Sequence, residues 1–152
     1  MMIAASIQRL RRLRRDQNGS MVVEFALLGP IFLVMLFGVL QVGMALQNYN
    51  ALRNISADVA RYTMVQHETE NYISNSQIKA YAINHAQGTP YLLANLRLNA
   101  IVRDATPQRV AGAREVELVM AYQIDSLLEF AGVDGPFITY SRPIFLVDPT
   151  AP

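Results

Sequence analysis

The sequence predicts an α+β protein in which one long N-terminal helix precedes a small antiparallel sheet domain. Three observations point there. An apolar run near the N-terminus carries almost no charge, and apolar residues then recur at helical spacing as far as Tyr62. Two later runs alternate apolar and polar residues as strands do. With 152 residues the chain has room for one modest domain.

The first half of the helix is lipid-soluble. Sixteen consecutive residues from Phe25 to Leu40 carry neither a charge nor an amide. Widening the window to Met21–Leu46 adds only Glu24, Gln41 and small or apolar residues. As a helix the wider run extends roughly 39 Å at about 1.5 Å per residue. That exceeds a hydrocarbon core of about 30 Å, so residues 20–46 read as one tilted transmembrane helix. A helix buried in a soluble core rarely stays apolar all round for so long. Within the span, Pro30 removes the hydrogen bond to the Ala26 carbonyl, and Gly29 beside it makes a local kink the expectation.

Charge divides the chain at the same place. Residues 1–19 hold Arg9, Arg11, Arg12, Arg14 and Arg15 against Asp16, a side-chain charge of +4, whereas residues 20–152 sum to −3. Arginines flanking one side of a span keep that side cytoplasmic, so the N-terminus is expected inside and the C-terminal body outside. A basic head also suits nucleic acid, but no aromatic interleaving or reading motif accompanies it, and a span follows directly. Nucleic acid is therefore not an expected partner.

The second half of the helix, residues 47–67, is amphipathic. Tyr49, Leu52, Ile55, Val59 and Tyr62 recur at steps of 3, 3, 4 and 3, and no Pro or Gly interrupts residues 44–70. One continuous helix from Ser20 to Val65 is the reading. Residues 68–152 then form the small domain. A second helix is expected over 74–87, with Ile78, Tyr81, Ala82 and His85 on one face and Gly88 and Pro90 ending it. In NLRLNAIVRD, residues Leu96, Leu98, Ala100 and Val102 alternate with polar ones. In REVELVMAYQI, Val116, Leu118, Met120 and Tyr122 share a side. Pairing Val102 with Val116 sets Ala100 against Leu118, Leu98 against Met120 and Arg103 against Glu115 on the wet side. A third strand is plausible over 137–147, where Pro143 restricts it to an edge or a bulge.

Catalytic chemistry is hard to find. The chain has no cysteine, which excludes disulfides and thiolate metal sites. His67 and His85 form no ligand motif with Glu68 and Glu70, so no metal and no cofactor is expected. There is no nucleophile elbow and no phosphate-cradling glycine loop. Glu115 and Glu117 share one strand face, which reads as solvated and not as an acid–base pair. The chain does not read as an enzyme.

A more specific signal lies at the start of the span. Gly19 is followed by SMVVEF, which places Glu24 five residues after the glycine and Phe25 six after it, with the arginines before them. This resembles the type IV prepilin processing site. The longer stretch EFALLGPIFLVMLFGVLQVGMALQNYNALRNISADVARY is similar to the N-terminal block of TadE-like minor pilins (pseudopilins) of tight-adherence, or Flp-type, pilus systems. The resemblance implies a pilin-like fold, with residues 1–19 as a basic prepilin leader. It also implies a prepilin peptidase that cuts between Gly19 and Ser20, on the cytoplasmic face. Implied partners are other Tad or Flp pilins and pseudopilins, an inner-membrane assembly platform and the lipid bilayer. The implied location is the bacterial inner membrane with the C-terminal domain in the periplasm, and the extracellular pilus after processing. Phe25 stands where major Flp pilins have tyrosine, which suits the TadE-like group.

A carboxylate within a span is costly and is a functional candidate by default. Cutting after Gly19 removes the arginines and leaves an ammonium on Ser20, one turn from Glu24. In a filament the Glu24 carboxylate then needs a neighbour to neutralise it, which makes it an assembly residue. Three other readings compete. Glu24 can be a snorkelling interfacial residue. An ordinary signal peptidase can cut after Gly43-Met44-Ala45, although the apolar stretch is long for a signal peptide. The chain can also be an uncleaved single-span anchor carrying a small periplasmic binding module.

Overall fold

A computed structural model describes residues 18–147. Helix α1 runs Asn18–Glu68 and helix α2 runs Asn75–Gln87. Strands β1 (Leu98–Asp104), β2 (Ala113–Gln123) and β3 (Phe137–Val147) form one antiparallel sheet in the order β1-β2-β3. The α+β expectation and its third strand are both met, and β3 is an edge strand, where Pro143 removes no interior ladder bond. The chain forms two compact units, one ending at Val39 and the other beginning at Leu40.

In the second unit the amphipathic part of α1 supplies the core. Leu52, Ile55 and Val59 are fully buried, as the sequence stripe requires, and they join Ile78, Ala82 and Ala86 of α2. Val116, Leu118 and Met120 of β2 with Ile144 and Leu146 of β3 complete the cluster. Burying each large aliphatic side chain contributes about 1.5–3 kcal/mol. The hydroxyls of Ser56 and Thr63 are also fully buried on α1. They donate to the carbonyls of Leu52 and Val59 at 2.7 and 2.8 Å, so neither is left unsatisfied. The start of α2 carries a capping box. The Ser74 side chain accepts from the Gln77 N–H, and the Ser74 N–H donates to Gln77 Oε1 at 2.8 Å.

Four expectations need correction. The β1–β2 register is displaced by two residues, so Val102 lies opposite Leu118, Ala100 opposite Met120, Leu98 opposite Tyr122, and Arg103 opposite Glu117. Alternation determines which face each residue takes, and a two-residue slip preserves every face. What selects the observed register is the connection after β1. Ala105 N–H donates to the Glu115 carbonyl at 2.9 Å, and Gln108 and Arg109 fold onto Glu115. The same fold-back overturns the solvated reading of Glu115, which is 2% exposed. Leu96 is 100% exposed, because Asn95–Arg97 form a 3-10 turn before β1 begins. On α2, Ala86 takes a core place, while Tyr81 and His85 are half-buried at its margin.

Candidate assembly helix and processing site

The residues that resemble a processing site fall at the start of α1. Asn18 opens the helix, so Gly19 and Ser20 lie in its first turn, and Glu24 lies four residues beyond Ser20, the spacing of neighbours on one helix face. A Cβ placed on Gly19 meets nothing within 4 Å, so none of the described residues packs against this position. Glu24 and Phe25 are both exposed. The helix runs on through Gly29 and Pro30. Arg9, Arg11, Arg12, Arg14 and Arg15 lie outside the described residues.

Beyond Glu24 the helix presents apolar side chains to its surroundings. Phe25, Phe32 and Val39 are 76%, 66% and 72% exposed. An 18-residue window of this helix has a mean hydropathy of 2.4, and none of it is buried. Soluble surfaces rarely hold contiguous apolar patches beyond a few hundred Å². A helix with such a surface suits single-pass anchoring in a membrane.

Gln41, at the end of the charge-free run, was not singled out by the sequence pattern. Its side-chain amide donates to the Asp125 carbonyl at 2.9 Å, and its Oε1 accepts from the Leu127 N–H at 2.8 Å. A lone amide closing an apolar run was the available signal, but its partners are 84 and 86 residues away.

Two further polar groups hold the small domain together. Asp58 on α1 accepts from His85 Nε2–H and from the Tyr91 hydroxyl, both at 3.1 Å. Tyr81 stacks between Tyr62, at 3.8 Å, and His85, at 5.6 Å. Burial, and then donation to Asp58, raises the Tyr91 hydroxyl above its ordinary range. On the outer face of the sheet, Glu117 accepts from Ser141 and from Arg103, each at 2.8 Å, and both donors lower its pKa. Arg109 lowers Glu115, chiefly by hydrogen bonding. Asp104 is lowered by Arg114 first and also by Asn75, which link β1, β2 and the start of α2. Carboxylates held ionised in this way suit structural pairing and not proton transfer at neutral pH.

Geometry and composition together define a class: an α+β protein with, among the described residues, a single helix long and apolar enough to cross a membrane. Residues 19–61 match the family model for TadE-like protein. Over that segment the chain is similar to the TadE-like proteins of Tad pilus systems. Comparison with curated proteins and with solved structures found no match.

Proposed function

We propose that this chain is a minor pilin, or pseudopilin, of a Flp-type pilus. It is made as a precursor whose arginines hold the N-terminus in the cytoplasm, and a prepilin peptidase cuts it between Gly19 and Ser20. Its helix then packs against other pilins through residues 25–46, and the Glu24 carboxylate pairs with the new ammonium on a neighbour's Ser20. The observation that carries this reading is the TadE match, which begins at residue 19 and covers the exposed apolar helix. The carboxylate one turn into that helix supports it, because a charge at such a position is retained where a partner neutralises it.

Intact-mass measurement of the protein from cells with and without the system's prepilin peptidase tests the proposal. A chain beginning at Ser20 only when the peptidase is present is the expected result. Retention of residues 1–19 in both strains overturns it and leaves the uncleaved anchor. A chain beginning at Leu46 instead identifies an ordinary signal peptidase.

A further inference from the structure

We infer that the loop between β2 and β3 is a second membrane contact, a small apolar foot that rests in the headgroup region of the leaflet where α1 leaves the bilayer. The inference rests on the reading of residues 20–46 as a membrane span. The foot is the stretch 125–136, whose neck is closed by the Ile124 N–H donating to the Pro136 carbonyl at 3.1 Å. Gly135 makes that closure possible, since a Cβ there would sit 1.8 Å from the Ile124 carbonyl oxygen. Gly132 ends the 3-10 turn Glu129–Ala131 in the left-handed region, at φ 75°.

Depth is set by Gln41. It follows directly on the charge-free run Phe25–Leu40, and the apolar sequence continues to Leu46. Leu40, Val42 and Leu46 are themselves exposed. Both ends of the Gln41 amide are bonded to the backbone of the foot, at Asp125 and Leu127. The foot is therefore held at the level of residue 41, in the last turns of the span. A glutamine amide at that depth is costly unless it is satisfied, and the foot satisfies it.

The foot is built as interfacial backbone must be. Where water is scarce, peptide groups need internal partners. Leu128 O accepts from Ala131 at 2.9 Å and Val133 at 3.2 Å, and Glu129 O accepts from Gly132 at 2.9 Å. The Ser126 hydroxyl donates to Val133 O and accepts from Leu128 N–H. Two large apolar side chains of the foot are exposed, Phe130 at 71% and Val133 at 49%. Leu127 and Leu128 are half-buried beside them. The acidic residues around the patch, Asp125, Glu129 and Asp134, are exposed as well, and Asp125 is ion-paired to Arg97. That balance suits zwitterionic headgroups better than anionic ones.

The chain has no tryptophan, so single reporters can be placed cleanly. Full-length protein is reconstituted in phosphatidylcholine vesicles, part of whose lipid carries brominated acyl chains. Three variants are compared: Phe32→Trp in the span, Phe130→Trp in the foot, and Tyr72→Trp beyond the far end of α1. The expected result is blue-shifted, bromine-quenched emission from the first two and unquenched emission from Tyr72→Trp. Adding Gln41→Ala to Phe130→Trp should return most of the lost emission, while Phe32→Trp stays quenched. An unquenched Phe130→Trp beside a quenched Phe32→Trp overturns the foot and leaves the span intact. Blue-shifted emission from Phe130→Trp that follows protein concentration and ignores bromine also overturns it, in favour of a second copy. An unquenched Phe32→Trp refutes the span itself, and the foot with it.

Discussion

The two halves of α1 are made of similar residues and meet opposite fates. From Met21 to Leu46 most of the large apolar side chains stay exposed, whereas Leu52, Ile55 and Val59 are fully buried only a few turns later. The later half finds its partners inside the chain, in α2 and the sheet. Of the earlier half, Met44 and Ala45 pack against the core and Gln41 bonds the β2–β3 loop, while most of its large apolar side chains stay exposed, as suits a membrane span. Burial within the chain makes a domain, and the apolar run left exposed is long enough to cross a membrane.

The comparison can be broken by mutation. The largest effect is expected from truncating the buried half: Leu52→Ala or Ile55→Ala should cost the domain about 2–5 kcal/mol in denaturant unfolding. Phe32→Ala in the exposed half should leave that unfolding midpoint unmoved. Equal losses from both would end the distinction.

Overpacking comes next. Gly135→Ala would drive a Cβ into the Ile124 carbonyl and should cost about 1–3 kcal/mol by opening the neck of the β2–β3 loop. A smaller loss, about 1 kcal/mol, is expected from Ser74→Ala, which removes the capping box of α2. Arg103→Ala breaks an exposed pair with Glu117 and should change the midpoint by less than about 1 kcal/mol.

Acid acts on the domain through the same ion pairs. The carboxyls of Asp104, Glu115 and Glu117 all titrate below their ordinary values in the folded state. Their stabilisation is therefore complete above the unfolded carboxylate range and is lost as pH falls through it toward the folded values. Thermal unfolding should be insensitive to pH from about 7 to 5 and should weaken below about 4. Glu115→Gln should make that acid limb shallower. An unchanged slope would show that the Arg109 contact does not matter.

Much of this was legible in the sequence because it rests on period. The 3.6-residue stripe marked Leu52, Ile55 and Val59, and the two-residue alternation marked Val116, Leu118 and Met120, all of which are core. Period cannot tell one in-phase register from the next, so the β1–β2 pairing was displaced by two residues until the fold-back of Gln108 and Arg109 was seen. Glu115 was misread for the same reason, since its burial comes from a loop and not from its strand. Gly19, Glu24 and Phe25 form a local spacing, and the structure places them in the first turns of α1. Gln41 and the Asp58–His85–Tyr91 group were not legible, because their partners are distant in sequence.

The account turns on whether Glu24 serves the assembled state. The most direct measurement compares incorporation of wild-type and Glu24→Gln protein into sheared pili, after intact mass has shown that both chains begin at Ser20. The account predicts that the variant is processed normally and is lost from the pili. Equal incorporation of processed Glu24→Gln protein would contradict it.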